Sequence, residues 1–167
     1  IITIQDTTSP EFTHVPDDYT AECSDIHPLD AATATDNCGM VQVTMQADTA
    51  FGDCVGSYTV TRTFTATDAC NNHSMATQVI TIQDTSGPVL TIPADYTAEC
   101  VEDLVFDDAS AEDNCGSAMV TMESVTNETD CAQVYTIVRM FTATDDCGNV
   151  AVESQTISVV DTTSPQI

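Results

Sequence analysis

The cysteines of this chain repeat their own spacing. Cys100, Cys115, Cys131 and Cys147 follow Cys23, Cys38, Cys54 and Cys70 at one constant offset, a little under half the chain. A period of that size marks tandem modules, so the fold must fit twice into 167 residues. The wording around the cysteines recurs as well: DYTAEC at 18–23 and 95–100, DNCG at 36–39 and 113–116, FTATD at 64–68 and 141–145. QDTTSP from position 5, QDTSGP from 83 and VDTTSP from 160 mark three successive borders. Module 1 therefore spans 6–83 and module 2 spans 84–160. Residues 1–5, IITIQ, match VITIQ at the end of module 1, and 161–167 read as the start of a following module or a linker. Two readings of 1–5 stand: the last strand of a preceding module in an array, or a strand donated to a neighbouring subunit.

The local pattern is that of strands. In SYTVTRTFTATD, Thr59, Thr61, Thr63, Thr65 and Thr67 alternate with Tyr58, Val60, Arg62, Phe64 and Ala66, a period of two. MATQVITIQD and VAVESQTISVVD give the last strand of each module, MVQVTMQAD and AMVTMESVT a middle one, and AATATD a shorter one before it. Short strands separated by turn signals predict an all-β chain of two tandem immunoglobulin-like β-sandwich modules.

Eight cysteines at regular spacing in so short a chain predict disulfide staples and an oxidising, extracellular or cell-surface compartment. Zinc fits less well, because no CxxC pair is present and His14, His27 and His73 do not recur with the cysteines. In a head-to-tail array successive strands run between an entry and an exit pole, which puts Cys23 and Cys54 at one pole and Cys38 and Cys70 at the other. A strand rises about 3.3 Å per residue, whereas bridged Cα atoms lie within about 7 Å. The economical pairing is Cys23 with Cys54 and Cys38 with Cys70, repeated as Cys100 with Cys131 and Cys115 with Cys147. The rival, pairing of neighbours in sequence, requires a broken or folded-back strand. Each bridge would add roughly 3 to 4 kcal/mol on the chain-entropy model, a decisive amount for a module with a small core.

Net charge is −25, with two Lys and Arg in all, yet 42% of residues are hydrophobic. The acidity thus belongs to a folded surface rather than a disordered tail. Nucleic acid is excluded as a partner for want of clustered cations, and an anionic membrane surface would repel the chain. No apolar run approaches the roughly 18 residues of a membrane span, and no leader peptide is recognised, so a mature, soluble segment without direct membrane insertion is expected. The counter-ion expected is Ca²⁺, which takes carboxylate and carbonyl oxygens. Asp6, Asp36 and Asp68 converge at the entry pole of module 1 and Asp84, Asp113 and Asp145 at that of module 2, while Glu22, Asp25 and Asp53 share the exit pole of module 1. The alternative is that these residues only cap turns through side-chain hydrogen bonds.

Arg62 and Arg139 sit at the same point of the repeated strand and are expected half-buried in salt bridges, with Glu22 and Glu99 as partners. Anion binding is the functional alternative. Asn71 stands where module 2 has Gly148, and both suit a left-handed turn. Asn72 (NHS) and Asn127 (NET) head N-glycosylation sequons on predicted loops, while Asn149, the counterpart of Asn72, has none. The outward Thr row suits O-linked sugar or plain strand propensity. No catalytic residue is assigned: the histidines are not repeated and no Ser lies in a nucleophile elbow.

YTVTRTFTATDACNN, YTIVRMFTATDDCGN, TATDNCG and the DTTSP border together resemble hyalin-repeat (HYR) modules and the related immunoglobulin-like tandem repeats of secreted and bacterial cell-surface proteins. The resemblance covers both modules and implies an extracellular β-sandwich used as spacer, adhesive or fibre-forming unit, with no catalytic role. Two departures stand out: Asn71 replaces the usual turn Gly, and four Cys per module exceed the plain hyalin repeat, so disulfide pairing is not carried over by analogy. The function expected is a stalk or filament built by head-to-tail stacking, its partner being itself, with glycans and calcium as additions. The alternative is an adhesin or carbohydrate-binding module of a cell-surface protein, although the chain has no Trp for sugar stacking.

Overall fold

The computed structural model describes residues 1–25, 30–100, 103–131 and 133–164. The chain divides into two compact units, Ile1–Asp84 and Thr85–Ile167. In the first unit the strands are β1 (Glu11–His14), β2 (Tyr19–Glu22), β3 (Thr33–Thr35), β4 (Gln42–Phe51), β5 (Tyr58–Thr67) and β6 (His73–Gln83). β1 and β3 form one antiparallel sheet, and the other has the order β2-β6-β5-β4. The chain therefore crosses from the small sheet to the large one and back. That crossing makes β2 parallel to β6, with Tyr19 opposite Ile80 and Glu22 opposite Gln83.

The second unit repeats the plan with β7 (Val89–Thr91), β8 (Tyr96–Glu99), β9 (Ser110–Glu112), β10 (Ala118–Glu128), β11 (Tyr135–Asp145) and β12 (Val150–Val160). β7 pairs with β9, and the larger sheet runs β10-β11-β12-β8 with β8 parallel to β12. The all-β, sandwich-type fold expected from the alternation is what the chain adopts.

The inward row of β5 buries Arg62, Phe64 and Ala66 while the Thr residues between them stay half-buried, and β6 adds Gln78, Ile80 and Ile82. In the second unit Phe141, Ala143, Ile157 and Val159 are sealed with Arg139 and Gln155. Each large apolar side chain so buried stabilises its unit by roughly 1.5 to 3 kcal/mol, and there are few of them. The small sheets are too short to cover the long edge strands. β4 is exposed on both faces from Thr44 to Phe51, and β10 from Thr121 to Glu128. The β5–β6 turn carries Asn71 at φ 68° and the β11–β12 turn Gly148 at φ 88°, both left-handed.

Candidate functional site

The Asp, Cys and Asn that end each repeated long strand form one hydrogen-bonded turn. Asp68 Oδ1 accepts from the Cys70 amide at 2.8 Å and the Asn72 amide at 2.9 Å, and its Oδ2 from Asn72 Nδ2 at 2.8 Å. Asp145 does the same with the Cys147 amide (2.8 Å), the Asn149 amide (2.9 Å) and Asn149 Nδ2 (2.8 Å). Burial alone would raise the pKa of either carboxyl, but the donors from Asn72, Cys70 and Asn71, or from Asn149, Cys147 and Gly148, outweigh it and hold both below the ordinary value. Asp68 and Asp145 thus cap their turns, and Asp145 also keeps a carboxylate oxygen within 4.8 Å of one of Asp113, as the sequence led one to expect.

Asp36 and Asp113 differ from them. Asp36 Oδ2 accepts from the Cys38 amide at 2.8 Å and Asp113 Oδ2 from the Cys115 amide at 2.7 Å. In each case Oδ1 is sealed from solvent with no hydrogen-bond partner among the described residues. Asp6, Asp36 and Cys38 offer ligand atoms within 4.8 Å of one another. Among the other acids expected to gather, Asp25 Oδ2 accepts from the Glu22 amide at 3.1 Å in the turn after β2, Asp53 is exposed in the loop before β5, and Asp84 is buried at the end of the first unit.

Cys23 and Cys54 in the first unit, and Cys115 and Cys147 in the second, are in disulfide linkage. Glu22 opposite Gln83 and Tyr58 opposite Ile82 bring Cys23 and Cys54 to one end of their sheet, and Ala118 opposite Asp145 does so for Cys115 and Cys147. Cys38, Cys70 and Cys131 stand as thiols, so the expected Cys38–Cys70 and Cys100–Cys131 bridges are not formed here. Burial first, then the Asp6 and Asp36 carboxylates and the Cys70 thiol, raise the pKa of Cys38. That disfavours the thiolate through which bridges form.

The arginines correct the expected salt bridges. Arg62 Nη1 donates to Gln78 Oε1 at 2.8 Å and Nη2 to the Asp30 carbonyl at 3.0 Å, while Gln78 Nε2 donates to the Asp17 carbonyl at 2.7 Å. Arg139 Nη1 reaches both Gln155 Oε1 and the Asp107 carbonyl at 3.0 Å, and Gln155 Nε2 the Ala94 carbonyl at 2.7 Å. Register explains why Glu22 is not the partner. Arg62 lies opposite Gln78, whereas Glu22 lies opposite Gln83, five residues or about 16 Å further along. Glu99 is displaced equally and accepts instead from the Thr162 amide at 2.6 Å, Thr162 Oγ1 at 2.9 Å and Thr163 Oγ1 at 3.0 Å, which lower its pKa. It thereby ties the DTTS border to the end of β8. The signal for the glutamines was the repeat itself, since Gln155 follows Gln78 at the same offset as the cysteines.

The two sequons part company. Asn72 Nδ2, the atom that would carry sugar, donates to Asp68 Oδ2 at 2.8 Å and to the Asp6 carbonyl at 3.3 Å. Asn127 is exposed near the end of edge strand β10. Expressed in a glycosylating host, the chain is expected to gain glycan at Asn127 and not at Asn72. Intact mass of N127Q and N72Q variants checks this; loss of a glycan in N72Q alone contradicts it.

Residues 88–159 match the family described as "HYR-like domain with 4 cysteines". Hyalin of Lytechinus variegatus is 34% identical over 149 residues, covering 81% of this chain and 27% of that protein. Hyalin of Strongylocentrotus purpuratus is 35% identical over 148 residues, covering 81% of this chain and 12% of that protein. The chain thus spans only a small part of the length of these relatives. Among solved structures, Drosophila N-cadherin EC1-4 aligns with 92% of this chain and 50% of its own at TM-score 0.42 and 10% identity.

Proposed function

We propose, from the premise that this chain carries a hyalin-repeat-like domain, that it is a segment of an extracellular adhesion-type repeat protein without catalytic activity, in which like modules stack head to tail into a stalk or filament. One observation carries the reading. The same buried Arg–Gln staple and the same Asp–Asn turn hold both units, at the offset that the cysteines keep. A chain that repeats its framework and not a cleft is built for length. Residues 1–5 fit the last strand of a further module, because Ile2 and Ile4, 91% and 93% exposed, match Ile80 and Ile82, buried at 6% and 2%.

Oxidised, each unit carries Cys23–Cys54 and Cys38–Cys70 or their counterparts. The linkage of the first unit and that of the second lie at opposite ends of the repeated framework, so both ends accept a bridge. Calcium is the finer part of the proposal. The sealed Oδ1 of Asp36, with Asp6 beside it, fits an oxygen-seeking cation, since an unpartnered carboxylate oxygen costs stability when buried. Asp113 repeats that orphaned atom.

Electron microscopy of the native material tests the stacking: ordered fibres with a whole-module repeat support it, and dispersed monomers that capture a glycan favour the adhesin. For the metal, about 1 mM Ca²⁺, the range of extracellular modules, is expected to raise the melting temperature over that in EDTA, and D36N together with D113N is expected to abolish the rise, each single variant removing it from its own unit only. A melting curve indifferent to calcium removes this part of the proposal.

A further inference from the structure

The chain has two cations and 27 carboxylates, so the elementary expectation is that each guanidinium finds an acid. Neither does so among the described residues. Arg62 and Arg139 are 5% and 4% exposed, and every acceptor they reach is neutral. A buried cation without a counter-ion is costly unless hydrogen bonds and aromatic faces offset it. Here they do so in part: Arg62 lies 5.1 Å from the Phe64 ring, and Arg139 lies 4.8 Å from Phe141 and 5.4 Å from Phe106.

The two arginines are not equivalent. Arg62 spends both terminal nitrogens, Nη1 on Gln78 and Nη2 on the Asp30 carbonyl. Arg139 directs Nη1 at both of its acceptors and leaves Nη2 unbonded among the described residues, while Nε of both arginines is sealed without a partner. Nη2 is therefore the edge of Arg139 able to reach a ligand. The residue lines a hollow of about 380 Å³ whose other walls are Phe106, Met122, Ser124, Thr126 and Ile137. Ser124 stands directly opposite Arg139 across β10 and β11, and Thr126 opposite Ile137. Two exposed hydroxyls thus follow one another beside a guanidinium on an apolar floor. Phe106 is held over that floor because Tyr96 Oη donates to the Val105 carbonyl at 2.6 Å and accepts from the Val105 amide at 2.8 Å.

We propose that this hollow binds a small monocarboxylate with an apolar body. The carboxylate takes Arg139 Nη2 and the hydroxyls of Ser124 and Thr126, and the body lies on Met122, Ile137 and Phe106. A carboxylate accepts one charge-assisted hydrogen bond from Nη2 and uses its remaining lone pairs on the two hydroxyls. Single charge follows from the surface, because a net −25 repels a multiply charged anion more strongly. The volume sits at the small end of ligand pockets, which sets the size of the body. Among the described residues the first unit differs where the ligand would be held: Ala47 stands opposite Arg62 where Ser124 stands opposite Arg139, and Arg62 Nη2 is already bonded. The inference is independent of the filament reading.

The test is an amide-resolved NMR titration of the whole chain with phenylacetate at about 0.15 M salt, where distant charges are screened. Saturable shifts are expected at Ser124, Thr126 and Ile137, with the matching positions Ala47, Thr49 and Val60 unmoved. Phenylacetamide, of the same shape without the charge, is expected to bind about tenfold or more weakly. The S124A/T126V double variant, changed at exposed positions, is expected to keep the spectrum of the fold and weaken binding about fivefold or more. Linear, unsaturated shifts, equal response to the amide, or equal shifts in both units overturn the proposal.

Discussion

Replacing Cys115 and Cys147 together by serine is expected to lower the unfolding free energy of the second unit by about 3 to 4 kcal/mol, the chain-entropy value for a closed loop of about thirty residues. The effect is large because the core is small: among the described residues of the unit the sealed apolar ones are Ala98, Phe141, Ala143, Ile157 and Val159. A loss of that size corresponds to a fall of about 15 to 25 °C in the melting temperature of a domain below 100 residues. Calorimetry of the whole chain resolves it, since the first unit keeps its own linkage and serves as reference. A fall of under about 5 °C would mean that the bridge adds nothing to what packing supplies. Alkylation without reductant completes the test. Chain oxidised in the secretory environment is expected to leave no cysteine labelled, whereas label at Cys38 and Cys70 would remove the four-bridge proposal.

Arg62→Leu is the second large effect expected, a loss of about 3 kcal/mol or more in the first unit. The substitution leaves Gln78 Oε1, on a side chain 2% exposed, and the Asp30 carbonyl without their donor, at about 1 to 3 kcal/mol each. It also removes the stacking on Phe64, worth about 0.5 to 2 kcal/mol. Leucine recovers part of this by burial. Gln78→Leu is expected to act through the same network, because Gln78 carries the connection on to the Asp17 carbonyl. Asp17 and Asp30 flank β2, so the staple pins both segments that cross between the sheets. Urea unfolding of both single variants and the double checks the coupling: the double variant is expected to lose clearly less than the sum of the two. Additive losses would mean that arginine and glutamine act separately.

Much of this architecture was legible before any coordinates. The constant offset between the two sets of cysteines announced two like units, and the alternation of Thr with Tyr, Val, Arg, Phe and Ala placed β5 and its inward row. Asn71 and Gly148 were readable as left-handed turn positions because few other residues adopt positive φ cheaply. The candidate site was less legible. Asp68 belonged to the predicted acidic cluster but turned inward to cap its own strand end. Asn72 satisfied a sequon while its amide was already engaged. The arginine partners were misassigned, since charge suggested glutamate and the sheet supplied glutamine.

Sequence by itself determined the repeat, the strands, their inward faces and the turns, because these depend on periodicity and on conformational preferences within a few residues. Tertiary structure alone decided which groups meet. It paired β6 with β5 in the register that puts Gln78 opposite Arg62, it left Glu22 opposite Gln83 on the far side of β6, and it set Arg139 beside a hollow lined by Phe106, Met122, Ser124, Thr126 and Ile137. The physical reason is range: a hydrogen-bond partner across a sheet is chosen by register between segments far apart in the chain, and no local pattern encodes that register.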